Sequence, residues 1–269
     1  MKNLKISLCA ATLCMSAQVQ AGNILITDFF GGGSPSYGHM TTSLAATGHT
    51  VTVFDSTTGG ALATELSTNS YDQVFLFDLT SSLFLNAADN TALSNFWGVH
   101  SGLVVDTRSY GYHFQGDNSS EVALLQNVAQ NLDLSGGGIW VGTDHAPNWT
   151  RNANPFLAEI GIEQITGLFS DPVNFADPTS VLLSGVTPSE LWGGGQSVGQ
   201  APIGIQPNGT DMFIHFGHTR ADGSILPYIS ASFDLQGVVP QPPTVPEPHS
   251  ILLLGIGLLG WTLSKRKTI

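Results

Sequence analysis

Lysine and cysteine are missing from most of this chain. Its 269 residues hold two cysteines, Cys9 and Cys14, both in an apolar stretch near the start. The eight basic residues are as unevenly spread: Lys2 and Lys5 lie at one end and Lys265, Arg266 and Lys267 at the other. Arg108, Arg151 and Arg220 serve everything between. Without cysteine, residues 22–240 can form no disulfide, thiol nucleophile or cysteine metal site. With a net charge of −12 for the chain and only three cations in residues 22–240, the domain's acidic surface argues against nucleic-acid and anionic-membrane partners, whose phosphates need clustered Lys and Arg. It suits a secreted protein kept soluble by self-repulsion, with divalent cations held loosely if at all. Charged residues make up only 10% of the chain, but 42% is hydrophobic, too much for a disordered polymer.

The two ends read as addresses. Met1-Lys2-Asn3-Leu4-Lys5 is a basic start, residues 6–15 are apolar, and Val19-Gln20-Ala21 is a small-x-Ala cleavage site. The expected signal peptide is therefore 1–21, and the mature chain begins near Gly22. Leu8 before Cys9 and Leu13 before Cys14 are not the small residues a lipoprotein signal needs. At the other end, Gln241-Pro242-Pro243-Thr244-Val245 is a stiff linker. Pro246-Glu247-Pro248, an apolar run at 251–263 and the basic stop Lys265-Arg266-Lys267 follow in order. The prolines hold Glu247 extended for an enzyme cleft. At about 1.5 Å per residue the apolar run reaches about 20 Å of a hydrocarbon core of about 30 Å, and snorkelling lysines narrow the gap. A short span with Gly255, Gly257 and Gly260 suits a temporary anchor.

This tail resembles the PEP-CTERM sorting signal of Gram-negative bacteria, with Pro246-Glu247-Pro248 as the motif and 246–269 as the whole signal. The resemblance implies an exosortase-type membrane enzyme as partner, transient inner-membrane anchoring and delivery to the cell surface or medium. An ordinary membrane anchor after a proline-rich linker is the alternative.

Residues 22–240 read as one α/β domain. Apolar strands are expected at 23–29, 50–55, 71–79, 102–106 and 137–144, with helices at 36–47, 61–66, 86–97, 121–131 and 155–160 between and after them. That alternation predicts a doubly wound, mostly parallel sheet of flavodoxin-like or amidotransferase-like type. Short strand-like runs at 162–168, 181–183, 202–205, 212–216 and 229–235 predict an antiparallel elaboration, and the tail adds a hydrophobic helix. Asp28, Asp55, Asp78, Asp106 and Asp144 fall at strand C-terminal ends, where such folds build sites. The same aspartates serve equally as caps of the turns that follow.

The alternation and Phe216-Gly217-His218-Thr219 make the domain similar to the class I glutamine amidotransferase-like superfamily. Catalytic members carry a cysteine at a sharp turn after a central strand. The corresponding turn, Val105-Asp106-Thr107-Arg108-Ser109-Tyr110-Gly111, has none, so cysteine amidotransfer is excluded. Ser109 could act instead, with His218, His215 or His145 as base and Asp144 or Asp106 as orienting carboxylate, although the Gly-x-Ser-x-Gly elbow is absent. Asp144-His145 and His215-x-x-His218 could meet at a cation only if the chain turned at Gly217, so no metal site is assigned, and no cofactor is expected. Aromatics in polar loops (Tyr110, Tyr112, His113, Phe114, Trp149 and Trp192) near Arg108 and Arg151 suit sugar rings or pack beneath the loops. The reading is an exported, non-catalytic binding or matrix protein, carbohydrate-associated because the sorting family accompanies exopolysaccharide production. Its ligand contacts are Arg108, Tyr112, Trp149 and Arg151. The alternative is a Ser-dependent extracytoplasmic hydrolase of glycans or esters using Ser109, His218 and Asp144.

Overall fold

A computed structural model describes residues 22–29, 35–77, 79, 85–98, 101–108, 118–195 and 197–235. All of them belong to one compact unit that ends at Gly237. Ser109, Tyr110, Tyr112, His113, Phe114 and Asp78 lie outside the described residues, as do the signal peptide, the linker and the whole sorting tail.

The first half alternates as its hydrophobic periodicity requires. β1 (Asn23–Asp28), β2 (Thr50–Asp55), β3 (Gln73–Leu76), β4 (Gly102–Asp106) and β5 (Gly138–Gly142) run parallel, in the order β2-β1-β3-β4-β5. Between them lie α1 (Pro35–Ala45), α2 (Ala61–Thr68), α3 (Ala87–Gly98) and α4 (Ser119–Ser135), with α5 (Ala153–Glu159) after β5. β3 and β4 are buried along their full length, as central strands covered on both faces must be. β2 is the edge and leaves Val53 exposed.

Side chains alternate across the sheet with period two. Leu25, Val74, Leu76, Leu103, Val105, Ile139 and Val141 join Leu62 of α2, Leu93 of α3 and Phe156 and Leu157 of α5 in one apolar cluster. Phe75, Val104 and Trp140 face the other way, onto Leu124, Leu125 and Val128 of α4. α4 starts where Asn118 Oδ1 accepts the N–H groups of Ser120 and Glu121, each at 3.1 Å. It ends at Gly136, whose φ of 71° is a left-handed cap.

The second half is antiparallel. β10 (Asp211–Thr219) and β11 (Ile225–Ala231) form a hairpin, and β11 lies against β5. β7 (Phe175–Ala176) and β9 (Gly204–Ile205) pair with β10, completing a nine-stranded sheet among the described residues. β6 (Thr166–Phe169) and β8 (Val198–Gln200) make a separate two-stranded ribbon. A short helix, α6 (Pro188–Leu191), was not anticipated from the pattern. The fold is thus mixed α/β with a mostly parallel sheet.

One expected strand is corrected. Val181–Leu183 is a 3₁₀ turn, because Ser180 Oγ caps the Leu182 N–H at 3.2 Å and Asn127 of α4 donates to the Leu182 carbonyl at 2.8 Å. Three apolar residues look alike whether they enter a sheet or bury one side chain under a helix. Among the described residues no helix is long and apolar enough to cross a membrane; the expected span lies outside them.

Candidate functional site

The C-terminal edge of the parallel strands gathers the polar side chains in two adjoining clusters. The first is closed. Asp106, the last residue of β4, accepts the Arg108 N–H at 2.9 Å and grips its guanidinium through Nε and Nη2 at 3.0–3.2 Å. Arg108 Nη1 reaches Glu121 Oε1 at 3.0 Å, in the first turn of α4. The guanidinium carbon stands 5.5 Å from the centre of the Trp140 ring. All three charged residues are buried. The cavity beside them, lined by Phe75, Phe77 and Trp140, measures about 10 Å³, room for one water and no ligand. Arg108, a proposed ligand contact, is thereby committed to internal ion pairs. Sequence could suggest the Asp106–Arg108 turn, but nothing in it marked Glu121 or Trp140 as partners.

One guanidinium shared by two buried carboxylates leaves one of them short of charge. Asp106 takes the bidentate grip. Burial therefore dominates at Glu121 and pushes its carboxyl from an ordinary 4.5 up to about 7, against the pull of Arg108. A carboxyl raised in the folded state adds stability that is complete below its unfolded value and is lost as pH rises through the folded one. Stability relative to Glu121→Gln should thus fall between about pH 4.5 and pH 7, by on the order of 2 kcal/mol. Urea midpoints of both chains across that window test this; parallel pH profiles would refute it.

The second cluster is open. Asp144 follows β5, and Thr107 Oγ1 holds its N–H at 2.5 Å, tying the two strand ends together. Asp144 Oδ1 accepts the His145 N–H at 2.6 Å and lies 2.7 Å from His145 Nδ1. Burial raises the Asp144 carboxyl above its usual range; the bonds from His145 oppose this and nearby Asp106 adds to it. The chain then turns, with the Trp149 N–H donating to the His145 carbonyl at 3.1 Å. The Trp149 ring is 38% exposed, 6.1 Å from the His145 ring, and Arg151 is exposed two residues on.

His218 is in β10, on the same edge of the sheet but separated from β5 by β11. Its Nδ1 lies 2.8 Å from the Pro172 carbonyl and its Nε2 4.0 Å from Asp171. Asp144 is paired with His145, so the described residues do not form a His218–Asp144 couple. His215 is fully buried, bonded through Nδ1 to Ser180 at 2.7 Å, and burial lowers its pKa to about 4. Among the described residues no three His, Cys, Asp or Glu side chains are placed to hold a metal ion. Trp192 is buried against Tyr228 and donates to the Asp171 carbonyl at 2.8 Å, so it packs under its loop.

Comparison with known proteins places one segment. Residues 244–267 match the model of the PEP-CTERM protein-sorting motif. The chain therefore carries a C-terminal sorting signal of the kind processed by exosortase, a membrane enzyme, and is an exported protein destined for the cell surface. No curated protein and no solved structure matches the chain.

Proposed function

We infer that the exported domain is a non-catalytic binding protein for extracellular polysaccharide, acting through Trp149 with Asp144, His145 and Arg151. The observation that carries this reading is the partly exposed Trp149 beside a carboxylate–imidazole pair. A sugar presents an apolar C–H face and a rim of hydroxyls. An indole face takes the first, and Asp144, His145 and Arg151 are fitting partners for the second. Strand order β2-β1-β3-β4-β5 with helices on both faces supports a flavodoxin-like, doubly wound domain, in which ligands gather at this edge. On this reading the tail spans the inner membrane of a Gram-negative cell until exosortase removes it. The domain then stays with the exopolysaccharide matrix.

Trp149→Ala should weaken binding to exopolysaccharide from the producing cells about tenfold, roughly 1.4 kcal/mol. It should leave the thermal midpoint nearly unchanged, since the ring is not in the core. Binding should weaken on acidification from above the usual carboxylate range, because Asp144 titrates high. Titration calorimetry against the purified polysaccharide decides it: equal affinity for the two chains removes the reading.

A hydrolase remains the second reading because of one distance. His145 Nδ1 at 2.7 Å from Asp144 is the base–carboxylate geometry a serine nucleophile needs, and Ser109 follows the adjoining strand. His145, not His218, is then the base. Esterase or glycosidase turnover lost in both Ser109→Ala and His145→Gln would establish it, and turnover retained in either would end it.

A further inference from the structure

The opposite edge of the sheet holds a polar nest that, among the described residues, no lysine or arginine enters. Gly22, the residue before β1, is buried, and its N–H donates to Nδ1 of His49 at 3.2 Å. That bond makes Nδ1 the acceptor and leaves the ring proton on Nε2, which faces Asp133 Oδ2 of α4 at 3.8 Å. His49 Nε2, Asp133 Oδ2 and Gln73 Oε1 are all buried without a hydrogen-bond partner. Gln73 Nε2 holds the other oxygen, Asp133 Oδ1, at 2.5 Å. Asp72 closes the ring, with Oδ2 accepting the Asn23 N–H at 2.7 Å.

The titratable groups here are His49, Asp72 and Asp133. Burial holds the Asp133 carboxyl above its usual range; Gln73 and His49 oppose this and Asp72 adds to it. Among the described residues no lysine or arginine side chain supplies a positive charge here. Residues 22–235 contain no lysine. Arg108 is committed to Asp106 and Glu121, Arg220 stacks over Phe169, and Arg151 lies in the turn after β5.

We propose that this nest is the receptor for the chain's own α-ammonium group, created at Gly22 when the leader is removed after Ala21. The proposal rests on the cleavage site read from the sequence. A leader peptidase adds water across the Ala21–Gly22 amide, leaving a carboxylate on the leader and an ammonium on Gly22. The new group keeps its bond to His49 Nδ1 and gains two further N–H donors for the Asp133 and Asp72 carboxylates. A Cβ at Gly22 would stand 3.2 Å from Asp72 Oδ2 and 3.5 Å from Asp133 Oδ1, so those oxygens already crowd this position and glycine lets them close on the amine. Seated there, the terminus pins β1 between β2 and β3. Because Gly22 is buried in the folded domain, cleavage precedes closure of this edge, and processing is coupled to final stability.

The contribution has a definite pH sign. An α-amine raised by ion pairing stabilises the fold fully below its unfolded value of about 7.7–8.0 and loses that effect as pH rises through the folded value. The test compares the exported chain beginning at Gly22 with the same chain retaining Ala21. N-terminal sequencing of the exported protein should read Gly-Asn-Ile-Leu; another start overturns the cleavage on which the proposal stands. In the Gly22 chain the α-amine should titrate above the ordinary range by NMR and resist acylation at pH 7. The Ala21 chain should melt several degrees lower at pH 7 and at nearly the same temperature at pH 10. Asp133→Asn should erase the difference, and Asp72→Asn should reduce it if the first variant does not fold. An ordinary α-amine pKa with equal melting of the two chains overturns the proposal. None of these readouts depends on polysaccharide binding, so failure of that reading leaves this one intact.

Discussion

Arg108→Met is expected to cost about 3–5 kcal/mol of folding free energy, a large share of what a domain of this size has. The two side chains are close in volume, so most of the loss is electrostatic. In the native fold Arg108 is 6% exposed, and its guanidinium neutralises Asp106 while reaching Glu121. Removing it leaves two carboxyls facing each other in a wall of Phe75, Val104, Leu124 and Trp140. Both would be driven toward the neutral form, and the Asp106 turn would lose its clamp. Arg108→Lys should fall between the two, since an ammonium can serve one carboxylate but lacks the planar fork that grips Asp106 and reaches Glu121 together. Replacing all three charged residues with apolar ones of similar volume should recover most of the loss, because breaking a buried pair costs more than deleting it. Urea unfolding of the four chains gives the comparison. An Arg108→Met chain as stable as the parent would show that the clamp contributes nothing to the fold.

Gly217→Ala should cost more than about 3 kcal/mol. A Cβ at this position would lie 1.8 Å from the Leu226 carbonyl oxygen, 2.9 Å from its carbon and 3.2 Å from the Pro227 Cα. All three are backbone atoms of the neighbouring strand, so no rotamer change relieves the overlap and the hairpin must open. Gly217 stands opposite Pro227, at a register shift in the β10–β11 ladder. Proline has no N–H to give there, and the strands approach more closely than paired side chains would allow. Gly38 is the control. It lies within α1 with nothing within 4 Å of its missing Cβ, so Gly38→Ala should be neutral or stabilising by up to about 1 kcal/mol. If both substitutions shift the urea midpoint alike, the close approach at Gly217 is not what requires glycine.

The Gly-His pair at 217–218, which carried the resemblance to amidotransferases, has a packing explanation here. Gly217 is needed for the contact with β11, and His218 bonds the Pro172 carbonyl next to Asp171. A dipeptide in a sequence cannot separate a backbone requirement from a catalytic one, because both select the same two residues. The structure shows the backbone requirement at Gly217 and leaves the role of His218 to experiment.

The parallel half of the sheet was legible because its strands are buried on both faces and read as unbroken apolar runs. Val74-Phe75-Leu76 and Leu103-Val104-Val105 are of this kind. The antiparallel half was harder. Its β7, β8 and β9 are only two or three residues long, too short for periodicity to register. In the site, Asp144–His145 could be named from the sequence because both residues come from one strand end. Glu121 could not, since its partner Arg108 is 13 residues away along the chain and no local pattern links the two.

What the sequence by itself determined is delivery: motif, apolar run and basic stop follow one another along one stretch of chain, and that order matches the sorting motif. It also determined the chemistry that is absent, because a chain without cysteine and lysine from 22 to 240 cannot recover them by folding. Which charged groups are paired in the interior and which stay exposed was decided only in three dimensions. Arg108 disappears into the interior, Trp149 stays in solvent beside His145, and Gly22, His49 and Asp133 meet at the far edge although they are spread over more than a hundred residues. Burial and pairing set the availability of a charged group, and both depend on neighbours that the chain brings together only when the sheet forms.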